Sequence, residues 1–155
     1  MSGGRVKLIG LGNPRRHDDA AGIEVARRVR AAAPADVEVF ELGDDPIALL
    51  DAWRDSDLAV VVDTVRTGAA PGTLHRLEVR GPLPVPDRRD RHSSHALSLG
   101  DLVELARALD RLPHRLVIIG IEGSEAGMGA GLSAPVQAAV EAVATAMLED
   151  LTSGR

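Results

Sequence analysis

The chain is predicted to be an α/β protein, a three-layer α/β/α sandwich around a five-stranded, mostly parallel sheet. Two observations predict this fold. Apolar runs alternate with amphipathic helix patterns along the chain, as in folds with helices on both faces of a sheet. Three runs are almost continuously apolar, which is typical of parallel strands buried on both faces: Val6–Leu11, Leu58–Asp63 and Leu116–Ile121. With 155 residues, no internal repeat and no linker, we expect one domain over residues 1–155.

Two further strands complete the predicted sheet. Val37–Leu42 lies between two helix patterns, where the alternation requires a strand. Thr73–Val79 alternates imperfectly between apolar and polar residues. Such a pattern indicates a strand with less complete burial. We therefore place Thr73–Val79 at an edge of the sheet.

Four segments have the apolar spacing of helices. The second, Ile47 to Trp53, is short and follows Asp44-Asp45-Pro46. Ser133 is the expected N-cap of the last helix, with Pro135 in its first turn. The apolar positions of the other three are Ala21, Val25, Val29 and Ala32; Leu99, Leu102, Ala106 and Leu109; and Val136, Val140, Val143, Met147 and Leu151.

Composition excludes several classes of function. One Trp, one Phe and no Tyr leave too few stacking platforms for single-stranded nucleic acid, and a net charge of −5 disfavours duplex binding. The chain has no cysteine, so a metal would have to be bound by His, Asp or Glu. No apolar run is long enough to span a bilayer, which leads us to expect a cytoplasmic protein.

Side chains that can bind a metal follow the predicted strands. Asp18 and Asp19 come after the first strand, Asp63 ends the third, and His95 lies in a loop that leads into a helix. Loops converge at the carboxyl ends of parallel strands, and two adjacent carboxylates repel each other unless a cation or a shared proton relieves them. Asp19, Asp63 and His95 could therefore hold a hard or borderline cation with positions left open.

Other interpretations of these residues remain open. Asp18 and Asp19 could instead stabilise the N-terminus of the first helix, where acidic side chains are favoured. Asp63 could be a turn residue at a strand end, and Glu122 could line the cleft. A dinucleotide site is rejected because Arg15 stands where its third glycine would be. The chain also lacks a Gly-x-Ser-x-Gly nucleophile motif.

A series of short motifs resembles one family. They are Gly10-Leu11-Gly12-Asn13 with Asp18-Asp19 and Gly22, Val60-Val61-Val62-Asp63, Pro71-Gly72-Thr73, Ser94-His95, and Gly120-Ile121-Glu122 with Gly131-Leu132-Ser133. In this order and at these spacings the sequence resembles the hydrogenase maturation proteases. These endopeptidases trim the C-terminus of nickel–iron hydrogenase large subunits.

The resemblance implies both a site and a substrate. Asp19 (Glu or Asp in the family), Asp63 and His95 are the implied catalytic and metal-contacting residues. The implied metal is the nickel already loaded in the large-subunit precursor, with other divalent cations able to substitute in vitro. The implied partner is that precursor, with no nucleic acid and no membrane. Whether nickel takes part in catalysis or is only recognised stays open.

The sequence departs from the family pattern in two places. Ala20 follows the acidic pair where a glycine is frequent, and Leu42-Gly43-Asp44-Asp45-Pro46 replaces a Gly-Gly-Thr-x-Gly type loop. Two other functions fit part of the sequence. Peptidyl-tRNA hydrolases share Gly-Leu-Gly-Asn-Pro, but His17 follows Asn13 more closely than in that family, and the net negative charge suits tRNA poorly. The other rival is a nickel-dependent maturation chaperone that does not cleave.

Overall fold

The computed structural model describes residues 5–43, 45–80, 99–124 and 131–152. Its five strands form one sheet in the order β2-β1-β3-β5-β4. The first four of these are mutually parallel, and β4 pairs antiparallel with β5 at an edge. The predicted mostly parallel sheet and its edge strand are thus confirmed. The strands are β1 (Val6–Leu11), β2 (Val37–Leu42), β3 (Leu58–Val65), β4 (Leu74–Arg80) and β5 (Arg115–Glu122).

The four predicted helices are also present. They are α1 (Ala21–Ala32), α2 (Pro46–Trp53), α3 (Leu99–Ala108) and α4 (Ala134–Thr152), and a 3₁₀ segment (His17–Ala20) precedes α1. Asp45 caps α2, because its carboxylate accepts hydrogen bonds from the N–H groups of Ile47 and Ala48 at 3.0 and 3.3 Å. None of the helices in the described ranges combines the length and hydropathy needed to cross a membrane.

Helices cover both faces of the sheet, which gives the predicted sandwich. Alternate residues of β3 point to opposite faces: Val60 and Val62 pack with α1 and α4, whereas Ala59 and Val61 pack with α2 and α3. Each face has its own aliphatic core. Trp53, the only tryptophan, is fully buried in the core on the α2 and α3 side.

The chain turns sharply where β1 ends. Gly12 has φ of 138°, and a Cβ at this position would lie 2.1 Å from the carbonyl oxygen of Asp19, so only glycine fits. The N–H of Asn13 donates to that same carbonyl at 3.2 Å. The Asn13 side chain accepts from the N–H of Arg15 at 2.9 Å, a local hydrogen bond typical of an asparagine in a turn. The turn holds the 3₁₀ segment against the end of β1.

Candidate active site

The structure brings two of the three predicted site residues to the same edge of the sheet. We call the edge where the four parallel strands end the carboxyl edge, and the opposite one the amino edge. The hydroxyl of Thr64 donates to the carbonyl oxygen of Asp18 at 2.7 Å, which joins the 3₁₀ segment to the end of β3. Asp19 and Asp63 are each one residue from this bond. His95 lies outside the described residues, so the complete trio stays a prediction.

Asp63 is partly buried near the end of β3. Its carboxylate accepts a hydrogen bond from the N–H of Thr64 at 2.8 Å. Asp63 lies opposite Gly120 of β5, and strand alternation places it on the α2 and α3 side of the sheet. Helix α3 packs on that side and begins four residues after His95 in the sequence.

Asp19 is the more accessible member of the acidic pair. Its side chain is 31% exposed and forms an ion pair with Arg66, with 3.4 Å between Oδ1 and Nη1. Among residues 5–43, 45–80, 99–124 and 131–152, no three His, Asp or Glu side chains are grouped closely enough to hold a metal ion. The described carboxylates therefore do not form a complete metal site without a further ligand.

Asp18 has a different environment from its neighbour, because it is fully buried. Its carboxylate accepts hydrogen bonds from the N–H and hydroxyl of Ser124, at 2.8 and 3.1 Å, and from those of Ser133, at 2.7 and 2.9 Å. The alternative in which Asp18 caps the first helix is not observed, because α1 has no side-chain capping hydrogen bond and Asp18 bonds to serines beyond β5 and before α4. Ser133 keeps only part of its predicted capping role. Its carbonyl accepts from the N–H of Gln137, while its hydroxyl donates to Asp18.

Glu122 is the second buried acid at the carboxyl edge, with 1% of its surface exposed. It accepts hydrogen bonds from the N–H and hydroxyl of Thr67, both at 2.8 Å, and from the N–H of Gly68 at 3.2 Å. His75 of β4 lies 3.0 Å away through Nε2. Burial alone would raise the pKa of Glu122, but the hydrogen bonds from Thr67, His75 and Gly68 outweigh it and lower that pKa. Glu122 thus braces the loop after β3.

The carboxyl edge therefore contains acids of two kinds. The carboxylates of Asp18 and Glu122 are buried and accept several internal hydrogen bonds, which hold loops in place. Asp19 and Asp63 are partly exposed. Partly exposed carboxylates can bind a cation or exchange a proton with a substrate, whereas fully bonded buried ones cannot do so without breaking the structure. Among the described acids of this edge, Asp19 and Asp63 are therefore the accessible ones.

Sequence reasoning missed several residues of this edge. Ser124, Thr67 and Arg66 have no motif that marks them, and their partners are 47 to 106 positions away in the chain. Glu122 and Ser133 belong to the motifs of the resemblance, but the sequence did not predict their hydrogen-bond partners. The missing signal is spatial, because none of these contacts is local in sequence.

Comparisons with known proteins agree with one another. The sequence model of hydrogenase maturation proteases matches residues 23–150 of this chain. Two relatives are the hydrogenase expression/formation protein HupD of Rhodobacter capsulatus, 27% identical over 78% of this chain and 58% of its own length, and the hydrogenase 2 maturation protease of Escherichia coli, 26% identical over 76% and 72%. This chain thus spans less than two thirds of the length of the HupD relative.

Solved structures of similar fold cover almost the whole chain. The hydrogenase maturating endopeptidase HybD of E. coli superposes with a TM-score of 0.79 at 23% identity, covering 96% of this chain and 93% of its own. The [NiFe] hydrogenase maturation protease HycI of Thermococcus kodakarensis gives a TM-score of 0.77 at 25% identity, covering 97% and 95%. The three-layer fold described above is therefore the fold of these proteins.

Proposed function

Because the chain belongs to the hydrogenase maturation protease family, we propose that it is an endopeptidase acting on a nickel–iron hydrogenase large-subunit precursor. It removes the C-terminal extension of that precursor once nickel has been inserted. The observation that carries the proposal is the family match over residues 23–150. The substrate follows from the activity named for the relatives and from the resemblance of the motifs.

The proposed site consists of Asp19, Asp63 and His95, and the nickel is cargo of the precursor. Carboxylate and imidazole donors suit this borderline cation. The position of Asp19 and Asp63 at one edge, both partly exposed, supports their assignment. A cation held by these side chains would polarise the scissile carbonyl or lower the pKa of a bound water. The hydrogen bond from the N–H of Thr64 fixes the orientation of the Asp63 carboxylate.

Dependence on a loaded precursor follows from the donor set. Two carboxylates and one imidazole, without a thiolate, leave nickel incompletely coordinated at a site open to water. The precursor supplies the remaining ligands when it docks. We therefore expect the protein to cleave the folded, nickel-loaded precursor and to leave general protease substrates intact.

The decisive experiment incubates the protein with nickel-loaded and nickel-free precursor and measures the masses of the products. We expect a shortened large subunit only from the loaded precursor. Asp63→Asn and His95→Ala should each lower the rate by more than about a hundredfold, since loss of an outer-shell metal contact alone costs about 10–100-fold. Asp57→Asn, an acid at the amino edge, is the matched control and should cleave normally.

Three results would contradict this proposal. Equal cleavage of nickel-free precursor would show that cleavage does not depend on nickel. Efficient degradation of casein would show that the protein is a general protease. Binding of the loaded precursor with no change in its mass would identify a maturation chaperone instead of a protease.

A further inference from the structure

Arg66 connects the loop after β3 to the candidate site. Its Nη1 lies 3.4 Å from Oδ1 of Asp19, and the two side chains are 38% and 31% exposed. The pair therefore joins the end of β3 to the 3₁₀ segment across the carboxyl edge. A guanidinium is positively charged at every physiological pH, so Asp19 already has a counter-charge before any metal arrives.

The backbone on both sides of Arg66 is anchored to the end of β5. Val65 accepts a hydrogen bond from the N–H of Gly123 at 3.0 Å, and Thr67 donates to Glu122. Gly123 packs closely against the end of β3, because a Cβ there would lie 2.8 Å from the Thr64 methyl. Arg66 is thus held beside the site by bonds to residues that do not themselves face solvent.

The other partner of the pair is anchored to the same strand end. Asp19 follows Asp18, and the buried carboxylate of Asp18 accepts hydrogen bonds from Ser124. Two exposed side chains on free loops lose much conformational entropy when they pair, which makes most surface ion pairs weak. Here both backbones are fixed relative to residues 122–124 before the side chains meet, so less entropy is lost on pairing.

We propose that Arg66 is a built-in counter-cation that lowers the affinity of the Asp19 site for free divalent metal ions. It acts as a specificity-determining residue, and the inference deepens the proposed function because it takes Asp19 as a metal contact. An incoming cation must displace the guanidinium or bear its repulsion. A hydrated ion from solution has no other contact that offsets this cost. When a docked precursor presents its nickel, the contacts of the whole interface offset this cost.

Isothermal titration calorimetry with nickel chloride tests the inference on the full chain. Arg66→Gln and Arg66→Met should each bind nickel about tenfold more tightly than the wild type, the size of effect expected when a unit charge near a surface site is removed. Arg54→Gln is the matched control. It removes the same charge from the amino edge, where Arg54 pairs with Asp51, and should leave nickel affinity unchanged.

A second pair of variants locates the effect. In an Asp19→Asn background, Arg66→Gln should give a much smaller gain, because the carboxylate that it releases is absent and only the repulsion by the guanidinium is removed. Unchanged or weaker nickel binding by both neutral Arg66 variants would overturn the inference, as would an equal gain in Arg54→Gln or in the Asp19→Asn background. Fluorescence of the buried Trp53 verifies that each variant is folded.

Cleavage of nickel-loaded precursor, assayed with the same preparations, separates this inference from the proposed function. If the wild type cleaves and the Arg66 variants gain no affinity, the protease assignment stands and the role of Arg66 is wrong. If the variants gain affinity through Asp19 and no preparation cleaves, the role of Arg66 stands and the protease assignment is wrong.

Discussion

Two acids at the carboxyl edge are buried, whereas Asp57 at the amino edge is exposed to solvent. At the carboxyl edge, Asp18 and Glu122 are 0% and 1% exposed and accept hydrogen bonds from backbone N–H groups and hydroxyls. At the amino edge, Asp57 accepts from the N–H of Arg5 at 2.7 Å and pairs with His114, whose side chain is 83% exposed. Water can replace the partners of Asp57, but it has almost no access to the carboxylates of Asp18 and Glu122.

The same difference explains how each carboxyl group acquires its lowered pKa. At Asp57, the backbone hydrogen bond from Arg5 is the main cause, and it outweighs a smaller opposing effect of burial. At Glu122, burial is the largest effect and raises the pKa, so several hydrogen bonds together are needed to lower it. A buried carboxylate therefore stays ionised only when all its hydrogen-bond donors are in place. The loops that carry these donors are held in position as a result.

The largest effect is expected at Asp18. Asp18→Ala leaves the donors of Ser124 and Ser133 without their acceptor, and each unsatisfied buried donor costs about 1–3 kcal/mol. We expect the free energy of unfolding to fall by about 3–5 kcal/mol, since several of these donors lose their acceptor together. Urea unfolding followed by Trp53 fluorescence measures it. The matched control is the adjacent Asp19→Ala, which removes one partly exposed ion pair and should cost about 0–1 kcal/mol. Equal losses would contradict the assigned difference between the two neighbours.

A smaller loss is expected for Glu122→Gln. The amide keeps the size of the side chain but turns N–H groups toward Thr67, Gly68 or His75, so we expect a loss of about 1–3 kcal/mol at pH 7. Because the folded pKa of Glu122 lies below its ordinary value of 4.5, its ionised form stabilises the fold above that pH. This contribution is lost as pH falls through the folded pKa.

The pH dependence offers an independent measurement at this position. Urea midpoints of the wild type and Glu122→Gln should differ by a constant amount between about pH 5 and 7 and converge below about pH 4.5. A gap that widens on acidification would show that Glu122 is not stabilised in its ionised form. The buried acids would then not differ from the exposed ones in how they stabilise the fold.

The smallest effect is expected at the amino edge. Asp57→Asn keeps an oxygen that can accept from the N–H of Arg5, and His114 is free to turn to solvent. We expect unfolding curves that overlap with those of the wild type at pH 7. A loss as large as that of Glu122→Gln would mean that exposure does not decide which acids support the fold.

Sequence patterns predicted most of the architecture because the patterns are local. The bounds of β1, β2 and α1 agree with those expected from apolar runs and helical spacing. β3 and β5 extend beyond the predicted ends, to Val65 and Glu122, because backbone pairing between the two strands continues past the apolar residues. Where polar residues such as Asp63 and Thr64 sit on a strand, hydropathy no longer marks its end.

The site was predictable only in part. Adjacent acids after a strand predicted a site at this edge; Asp19 and Asp63 lie there, while their grouping with His95 and their role stay predictions. Nothing in the pair Asp18-Asp19 says which member is buried, because that depends on where Ser124 and Ser133 arrive. The pairing of Arg66 with Asp19 was equally inaccessible, since it spans 47 positions.

By itself, the sequence determined a layered α/β chain, the edge strand and the placement of Asp19 and Asp63 at one edge of the sheet. Each of these follows from the spacing of apolar residues over short stretches of sequence. Burial of those side chains favours a strand or a helix according to that spacing. Only the tertiary structure decided the strand order, the burial of Asp18 and Glu122, and the counter-charge on Asp19. Those features depend on hydrogen bonds and ion pairs between segments distant in sequence, and such contacts leave no local pattern.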